Sequence, residues 1–445
     1  MRWVPQLRHP AQYVVVGFAA AVTAGTVLLL LPISRTGPGG ASLVEALFTA
    51  TSAVCVTGLV VVDTPTYWTG FGQTVILALI QIGGFGIMTM ASLMILLITR
   101  RMGLRSRLTA AAETKNLGIG DVRSVLVGVA RVSIVVELAT AAVLTTRLAT
   151  GYDEPVGRAA YLGVFHAVSA FNNAGFALYG DSLMQFTTDP WICLPIVAAV
   201  IVGGIGFPVL LELRRQLRRP RRWSMHTKLT LSMTGVLLVG GTMFMLASEW
   251  RNTETLQPLS LPGKLLAGFF HAVMPRTAGF NSLDVAEMNE ATWLGTDVLM
   301  FIGGGSAGTA GGIKVTTFVL LLFVIYAEVR GEPSVNVFDR KVSDRVQRQA
   351  VTVALLSVAG VVGPTLLLLE LTDFRLDEVF FEVVSAFATV GLSTGITADL
   401  PALGKIVLTI LMFVGRLGPI TLASALALRE HGRLYELPEG RPIIG

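Results

Sequence analysis

Charged side chains are scarce in this chain. They account for 14% of its 445 residues, against about 25% in a typical soluble domain. Hydrophobic residues make up 53%, and the mean hydropathy is +0.68. Such a chain cannot cover a water-exposed surface with polar groups, so most of its surroundings must be lipid. The composition excludes an ordinary soluble protein.

Cysteine and histidine are also rare. The only two cysteines, Cys55 and Cys193, belong to no CxxC motif, and the five histidines have no metal-ligand spacing. A disulfide framework or a zinc site is therefore excluded, and both cysteines are interpreted as small buried apolar residues. An intramembrane enzyme would need a paired nucleophile and base, a pair of aspartates or a metal cluster, for which the sequence offers little material.

Strand-like alternation is absent, and long apolar runs recur in a fixed order. Each unit has a run long enough to span a membrane, a half-length run, a loop and a second spanning run. The sequence thus predicts an all-α membrane protein with eight spans and four re-entrant segments. The predicted spans are residues 13–31, 73–99, 122–148, 191–213, 229–247, 293–329, 349–371 and 403–428, and the half helices are 43–54, 159–171, 264–274 and 377–388.

One short motif follows each half helix. Thr389-Val390-Gly391-Leu392 has counterparts in three earlier segments, and a phenylalanine stands ten residues before each motif glycine. The glycines recur at intervals close to a quarter of the chain, which indicates one unit copied four times. The counterparts are Val56-Thr57-Gly58-Leu59, Asn173-Ala174-Gly175-Phe176 and Thr277-Ala278-Gly279-Phe280.

These motifs are typical of a pore helix that leads into an ion selectivity filter, where backbone carbonyls replace the water shell of the ion. Non-helical backbone at membrane depth must be buried in protein or line a water-filled path. Glycine permits backbone angles that a Cβ penalises. We therefore predict that Val56–Gly58, Asn173–Gly175, Thr277–Gly279 and Thr389–Gly391 bind the ion. The alternative is four unrelated glycine kinks in packed helices.

The predicted unit boundaries follow from this repetition. The four repeats occupy residues 1–107, 108–222, 223–335 and 336–445, with pseudo-fourfold symmetry around a central pore. Parallel repeats with an even number of spans place the symmetry axis along the membrane normal. An alternating-access carrier with inverted repeats is the competing class, and it would predict a binding site at the midplane.

Glycine clusters also mark the second span of every unit. Gly83-Gly84-Phe85-Gly86 and Gly203-Gly204-Ile205-Gly206 are interpreted as close contacts between helices. The third cluster differs, because six of its ten residues are glycine and each costs a helix about 1 kcal/mol against alanine. We predict a broken helix whose unwound centre acts as a gate. Its residues are Gly303, Gly304, Gly305, Ser306, Ala307, Gly308, Thr309, Ala310, Gly311 and Gly312. They also match G-x-G-x-x-G, but no strand precedes them, so a dinucleotide site is not favoured.

Few charges fall inside the predicted spans. Arg416 lies in the last span, where a charge faces a cavity or a partner; it either raises a barrier to cations or forms a structural ion pair. Lys314 follows the glycine-rich break and either belongs to the gate or snorkels to the membrane surface. Arg131 and Glu137 face different sides of one helix and receive no role. His166 and His271 are expected to cap or pack rather than relay protons.

Most of the 34 lysines and arginines lie in the termini and in the linkers between units. This asymmetry predicts that the termini are cytoplasmic and that the filter loops open outward. The densest cluster is Arg214–Arg222, with six arginines in nine residues. It is explained by topology and by lipid headgroup contact rather than by nucleic acid binding.

The four units, their single filter glycines, the Gly303–Gly312 segment and Arg416 together resemble the Trk/Ktr/HKT superfamily of potassium transporters. Within it, the chain is most similar to the KtrB-type membrane subunit, over essentially its whole length. The resemblance implies that Gly303–Gly312 is a gating loop beneath the filter and that Arg416 narrows the same path from the opposite side. It also implies a homodimer controlled by a separate cytoplasmic nucleotide-binding ring of the RCK type.

The resemblance further implies potassium uptake across the bacterial cytoplasmic membrane by a channel-like translocating subunit. Family members that replace a filter glycine with serine favour sodium, and all four glycines are present here. K+ is thus the expected transported ion, with Na+ as a possible activator that no residue reveals. The alternative within the same fold is a transporter permeable to both sodium and potassium.

Overall fold

The computed structural model of the chain describes residues 10–101 and 122–418. Both chain ends, most of the first linker with Arg107, and the last part of the predicted span 403–428 lie outside the described residues. The orientation argument from the termini is therefore a prediction that the structure does not address.

The fold is all-α, as the sequence predicts. The four half helices begin and end at or near the predicted residues. The helices are α1 (Pro10–Leu30), α2 (Leu43–Val54), α3 (Thr64–Tyr67), α4 (Gly70–Arg101), α5 (Val122–Gly151), α6 (Val156–Phe171), α7 (Pro190–Ile205), α8 (Phe207–Gln216), α9 (Met225–Glu249), α10 (Leu261–Val273), α11 (Glu290–Phe301), α12 (Val315–Val329), α13 (Asp344–Leu371), α14 (Leu376–Ala388) and α15 (Ala402–Leu417).

Four helices in the described ranges, α1, α5, α9 and α13, are each long and apolar enough to cross a membrane, and the bent pair α7–α8 adds a fifth candidate. The four are the first spans of the four predicted units. Large apolar side chains on them are exposed, as on α13, where Leu355 is 66% exposed. Apolar side chains that face outward along such helices need lipid around them. The chain is therefore a membrane protein.

The second spans are less regular than predicted. The described part of α4 passes unbroken through its glycine cluster, and α11 and α12 are separated by residues 302–314, which confirms the predicted break in the third unit. The prediction of one continuous span over 191–213 is wrong, because α7 and α8 are bent by 100°. Gly206 at the bend has φ +102°, which other residues rarely adopt. Pro208 cannot supply the N–H that would bond the Gly204 carbonyl, so the α7 helix ends there.

A small hairpin in the third linker was not predicted. Its strands are β1 (Asn336–Val337) and β2 (Arg340–Lys341), and they pair antiparallel. Two-residue strands carry no detectable alternation, so the sequence gives no signal for them. Val337 is fully buried against α12 and its neighbours, which anchors the hairpin to the helices.

The half helices are held by glycines of the second spans. A Cβ placed on Gly83 would lie 1.9 Å from the carbonyl oxygen of Val54, and a Cβ on Gly203 would lie 1.9 Å from that of Phe171. The predicted close packing of the first two clusters is thus confirmed. Gly415 makes the same approach, 1.8 Å from the Phe387 oxygen. In the third unit, Gly303 instead faces the carbonyl of Gly311, at 2.0 Å.

We expect Gly415→Ala to destabilise the protein, because its Cβ has no room beside the Phe387 carbonyl and the two helices must move apart. The matched control is Gly363→Ala on α13, where nothing lies within 4 Å of the added carbon. There the substitution should be neutral or slightly stabilising, by up to about 1 kcal/mol. The midpoint of heat-induced loss of the monodisperse peak in detergent measures both. Equal midpoints for the two variants would contradict the packing account.

Candidate functional site

The four motif loops share one backbone conformation. In each loop the motif glycine and the residue two positions before it have positive φ, and no other residues of these motifs do. Side chains rarely adopt this region, so its recurrence at equivalent positions indicates a common constraint. The angles are Val56 56° and Gly58 93°, Asn173 58° and Gly175 69°, Thr277 68° and Gly279 69°, and Thr389 52° and Gly391 95°.

The loop amides are turned back toward the half helices. The N–H of Thr57 donates to the carbonyl of Ser52 (2.8 Å), and the N–H of Val390 donates to the carbonyl of Ser385 (2.9 Å). The side chains of the same serines accept the N–H of the motif glycines, both at 3.1 Å. Because these amides are engaged behind the loop, the carbonyls are left to face forward. The serines were missed from the sequence, although a serine stands six residues before the glycine in three of the four units.

The four motif glycines form a closed cycle. A Cβ on Gly58 would lie 2.4 Å from the carbonyl oxygen of the residue before Gly175, and each glycine meets the next loop in the same way until the cycle returns to the first loop. The structure thus places the four predicted filter loops against one another in a ring, as four unrelated kinks would not. The other approaches are Gly175 to the Ala278 oxygen (2.8 Å), Gly279 to the Val390 oxygen (2.3 Å) and Gly391 to the Thr57 oxygen (2.1 Å).

Hydroxyl groups add to this set of oxygens. The side-chain oxygens of Thr57, Thr277 and Thr389 are buried and have no hydrogen-bond partner among the described residues. A buried unpaired hydroxyl is costly, about 1–3 kcal/mol. Thr277 and Thr389 stand at the same motif position, where the first loop has Val56. Their two hydroxyls beside the ring of carbonyls fit a site that binds a cation, because hydroxyl and carbonyl oxygens both offer lone pairs.

The glycine-rich segment forms a compact loop between α11 and α12. Its two ends are joined, because the N–H of Gly303 donates to the Ile313 carbonyl (2.9 Å) and the N–H of Val315 donates to the Gly304 carbonyl (3.0 Å). Ala307 and Gly312 have φ +60° and +63°. The interruption is therefore a defined structure inside the span rather than a frayed helix.

This loop is bonded to the bend between α7 and α8. The Gly203 and Gly204 carbonyls, freed by the end of α7, accept the N–H groups of Thr309 (3.1 Å) and Gly305 (2.8 Å). In return the N–H of Phe207, the first residue of α8, donates to the Ala307 carbonyl (3.2 Å). The bend that the sequence missed thus provides the groups that hold the loop.

The loop also lies against the bases of two motif loops. The Thr309 hydroxyl donates to the Asn173 side chain (2.9 Å). On the other side, a Cβ on Gly311 would lie 2.0 Å from the Thr389 hydroxyl and 2.6 Å from the Ala388 carbonyl oxygen. The loop therefore lies under the ring of motif glycines, at the ends of half helices α6 and α14.

Two basic residues contact the loop. The guanidinium of Arg416, which is 4% exposed, donates to the carbonyl of Thr309 and, at 3.5 Å, to the carbonyl of Gly83. These partners are backbone carbonyls, so the alternative of a structural ion pair is not what the structure shows. The Lys314 ammonium donates to the carbonyls of Ala310 (2.5 Å) and Gly311 (3.4 Å), and it does not snorkel away.

The sequence missed Arg276 as part of this region. It immediately precedes Thr277 and is only 6% exposed. One guanidinium nitrogen donates to Thr234 (3.3 Å), and Nη1 has no partner among the described residues. Only its position next to the motif could have indicated a buried site.

Polar residues of the half helices fix the chain that follows three of the four motifs. His166 accepts the N–H of Leu178 (3.2 Å), and His271 accepts the N–H groups of Ser282 (3.2 Å) and Leu283 (3.0 Å). The packing role predicted for the two histidines is confirmed. In the fourth unit Glu382, which was not singled out from the sequence, accepts the N–H of Thr394 (3.0 Å).

Comparisons with known proteins agree with this geometry. A family model described as TrkH, cation transport protein, matches residues 5–435. The chain is 42% identical over 440 residues to the Ktr system potassium uptake protein B of Bacillus subtilis, covering 98% of this chain and 97% of that protein. It is 33% identical over 443 residues to the potassium/sodium uptake protein NtpJ of Enterococcus hirae, covering 98% and 97%.

A solved structure shows the same fold. The crystal structure of the potassium transporter TrkH from Vibrio parahaemolyticus superimposes with a TM-score of 0.75 over 96% of this chain and 87% of that chain. The sequence identity is 18%, so this likeness concerns the fold alone.

We expect Gly391→Ser to alter ion selectivity, because its Cβ would enter the ring 2.1 Å from the Thr57 carbonyl oxygen. The matched control is Gly395→Ser in the same loop, at φ +100° against +95° for Gly391, with nothing within 4 Å of the added carbon. Potassium-to-sodium flux ratios in proteoliposomes should fall for Gly391→Ser and stay near wild type for Gly395→Ser. An unchanged ratio in Gly391→Ser would contradict the filter assignment.

Proposed function

The chain belongs to the TrkH family of cation transport proteins, and we propose that it carries potassium ions into the cell across the bacterial cytoplasmic membrane. The closed cycle of four glycine loops is the observation that supports this proposal best. Relatives that match over nearly their whole length are named for potassium uptake. In this proposal the ion moves down its electrochemical gradient, where 100 mV is worth about 2.3 kcal/mol per charge.

Selectivity resides in the carbonyl ring. The oxygens of Thr57, Ala174, Ala278 and Val390 lie at the four glycine contacts, and they replace part of the water shell of K+. The unpaired hydroxyls of Thr277 and Thr389, one residue before the ring carbonyls of their loops, extend the same oxygen-lined path. The retention of glycine in all four loops favours potassium, since a side chain at any of these positions would displace a carbonyl of the neighbouring loop.

The gate is the loop Gly303–Gly312, with Lys314 and Arg416 as its charged supports. The loop obstructs the path beneath the ring, and the Arg416 guanidinium adds a positive charge that opposes a passing cation. Three backbone bonds to Gly203, Gly204 and Phe207 and the Thr309–Asn173 bond hold the loop closed. Each of these bonds contributes about 0.5–1.5 kcal/mol to the closed position, so the four together contribute a few kcal/mol. A regulatory partner can supply that free energy, since about 5.5 kcal/mol reverses a 99:1 equilibrium.

We propose four repeats at residues 1–107, 108–222, 223–335 and 336–445, with both termini cytoplasmic. A homodimer working with a separate RCK-type nucleotide-binding ring fits the word "system" in the names of the relatives. Sodium would act on this complex as an activator.

A second candidate is a transporter that admits both sodium and potassium. The name of the Enterococcus hirae relative, a potassium/sodium uptake protein, favours it. The two candidates differ in the ratio of sodium to potassium flux through the wild-type ring and share every structural feature described above.

The test is uptake of radioactive rubidium, as a potassium analogue, by proteoliposomes that contain the purified protein under an inside-negative potential. We expect uptake that unlabelled potassium inhibits far more strongly than sodium does. Equal inhibition by the two ions would support the second candidate. Uptake no greater than that of empty vesicles, with partner and nucleotide present, would contradict transport.

Deleting Ser306–Ala310 should leave a leakier pore, because it removes Ala307 and Thr309, which bond to the α7–α8 bend and to Arg416. Arg416→Gln should raise basal flux to a smaller extent, since it removes the positive charge but keeps the loop. Rubidium uptake without any partner protein measures both. The matched control is Arg131→Gln, an exposed arginine on α5 with no contact to the loop. If the deletion kept partner-dependent control intact, the loop would not be the gate.

A further inference from the structure

The short helix α8 has the form of a helix that lies on a membrane surface. It leaves the span α7 at an angle of 100°, so it cannot continue across the membrane. Its first turn is anchored, because Phe207 and Val209 are buried and the Phe207 ring lies against Gly128 of α5. Its far end is exposed and basic. Basic residues exposed at a membrane surface attract anionic lipid headgroups.

The exposed end carries the densest positive charge in the described chain. All six arginines of the cluster are exposed, and no acidic residue stands among them; they are Arg214, Arg215, Arg218, Arg219, Arg221 and Arg222. The nearest carboxylate in sequence, Glu212, is engaged by the Ser224 N–H (2.6 Å) and the Thr227 hydroxyl (2.5 Å). Through these bonds Glu212 holds α8 to the start of α9. Neither bond involves an arginine of the cluster.

The surroundings of the cluster indicate what it binds. Guanidinium groups pair with phosphate oxygens through two parallel hydrogen bonds, so a phosphate-bearing ligand fits. Leu217, in the middle of the arginines, is 65% exposed, and Trp223 follows them with its indole N–H bonded to the Gln216 carbonyl (3.0 Å). An exposed leucine and a partly exposed tryptophan beside arginines favour a lipid headgroup over a soluble phosphate or an acidic protein.

The same helix is connected to the loop under the ring. Its first N–H is bonded to the Ala307 carbonyl (3.2 Å), and a Cβ on Gly206 would lie 2.4 Å from the Ser306 carbonyl oxygen. Any displacement of α8 therefore moves the atoms that hold the loop. A lipid that fixes α8 at the surface stabilises the loop position described above.

We propose that Arg214–Arg222 binds anionic phospholipid headgroups, and that this binding stabilises the closed loop through the bond between Phe207 and Ala307. The proposal that the cluster binds lipid depends only on the arginines and the residues around them. The control of the loop rests on the proposed gating function.

The experiment uses the full-length protein and the variant R218Q/R219Q/R221Q/R222Q. Native mass spectrometry counts phosphatidylglycerol bound to the detergent-purified protein. Rubidium uptake without partner protein is then compared between vesicles of phosphatidylcholine alone and vesicles that also contain phosphatidylglycerol. The matched control, R340Q/K341Q/R345Q/R348Q, removes the same charge from exposed positions of the third linker.

We expect phosphatidylglycerol to lower the basal uptake of the wild type and of the control variant, and to leave the cluster variant unaffected. Its affinity for phosphatidylglycerol should fall about a hundredfold or more. Lysine at the same four positions should retain most of the lipid response, which shows that the glutamine variant is not simply misfolded.

Four results would overturn the proposal. Unchanged phosphatidylglycerol binding by the cluster variant would show that the lipid binds elsewhere, and lost binding with an unchanged uptake response would show that α8 does not control the loop. Inhibition by inorganic phosphate in phosphatidylcholine vesicles would identify a soluble ligand. Loss of partner stimulation with an intact lipid response would identify a protein-docking surface. If the wild type carried no rubidium in any vesicle, the transport function would fail, while the binding measurement would still decide the lipid site.

Discussion

The structure depends on the close approach of four backbone segments at four glycines. At each contact a single added carbon would lie within 2.8 Å of a neighbouring carbonyl oxygen, which real Cβ atoms do not tolerate. For this to occur, the four half helices must end at one place, and contacts with neighbouring residues must hold each of them there. Glycines of the second spans bring the half helices close in three units, and serine side chains hold the motif amides in two. These supports engage the N–H groups of the motif loops and leave the carbonyl oxygens of the ring unbonded.

The third unit departs from the other three, and its departure creates the loop that we propose as the gate. Where the other second spans place a glycine against their own half helix, this one unwinds. Its glycines bond to Ile313 and Val315 at the end of the same loop and to the bend after α7. Four units then meet at one point: Arg416 of the last reaches Thr309 of the third and Gly83 of the first, and Thr309 also bonds Asn173 of the second. A small set of hydrogen bonds at such a junction can be exchanged at modest cost. That is the property a gate requires, since a deeply stabilised closure could not be opened by a partner.

Much of the fold and of the ring could be predicted from the sequence, because a glycine-rich break at membrane depth must be buried in protein or line a water-filled path. The half helices and the unwound third span follow from length and glycine content alone. The bend at Gly206 could not be predicted, because apolar residues continue on both sides of it and its glycines equally suit close packing. The burial of Arg276 could not be predicted, because sequence position does not show which side of a re-entrant loop is buried. The bonds of Thr309 to the second unit join residues more than a hundred positions apart, and no local pattern encodes them.

The central claim is that the carbonyls of the four motif loops form one ion path. The most direct measurement is a structure of the protein in rubidium or thallium, with the ion located by its anomalous scattering. The account predicts a peak on the line enclosed by Gly58, Gly175, Gly279 and Gly391, within coordination distance of carbonyls from all four loops. Ions found only at the periphery of the helices, with no peak inside the ring, would contradict it.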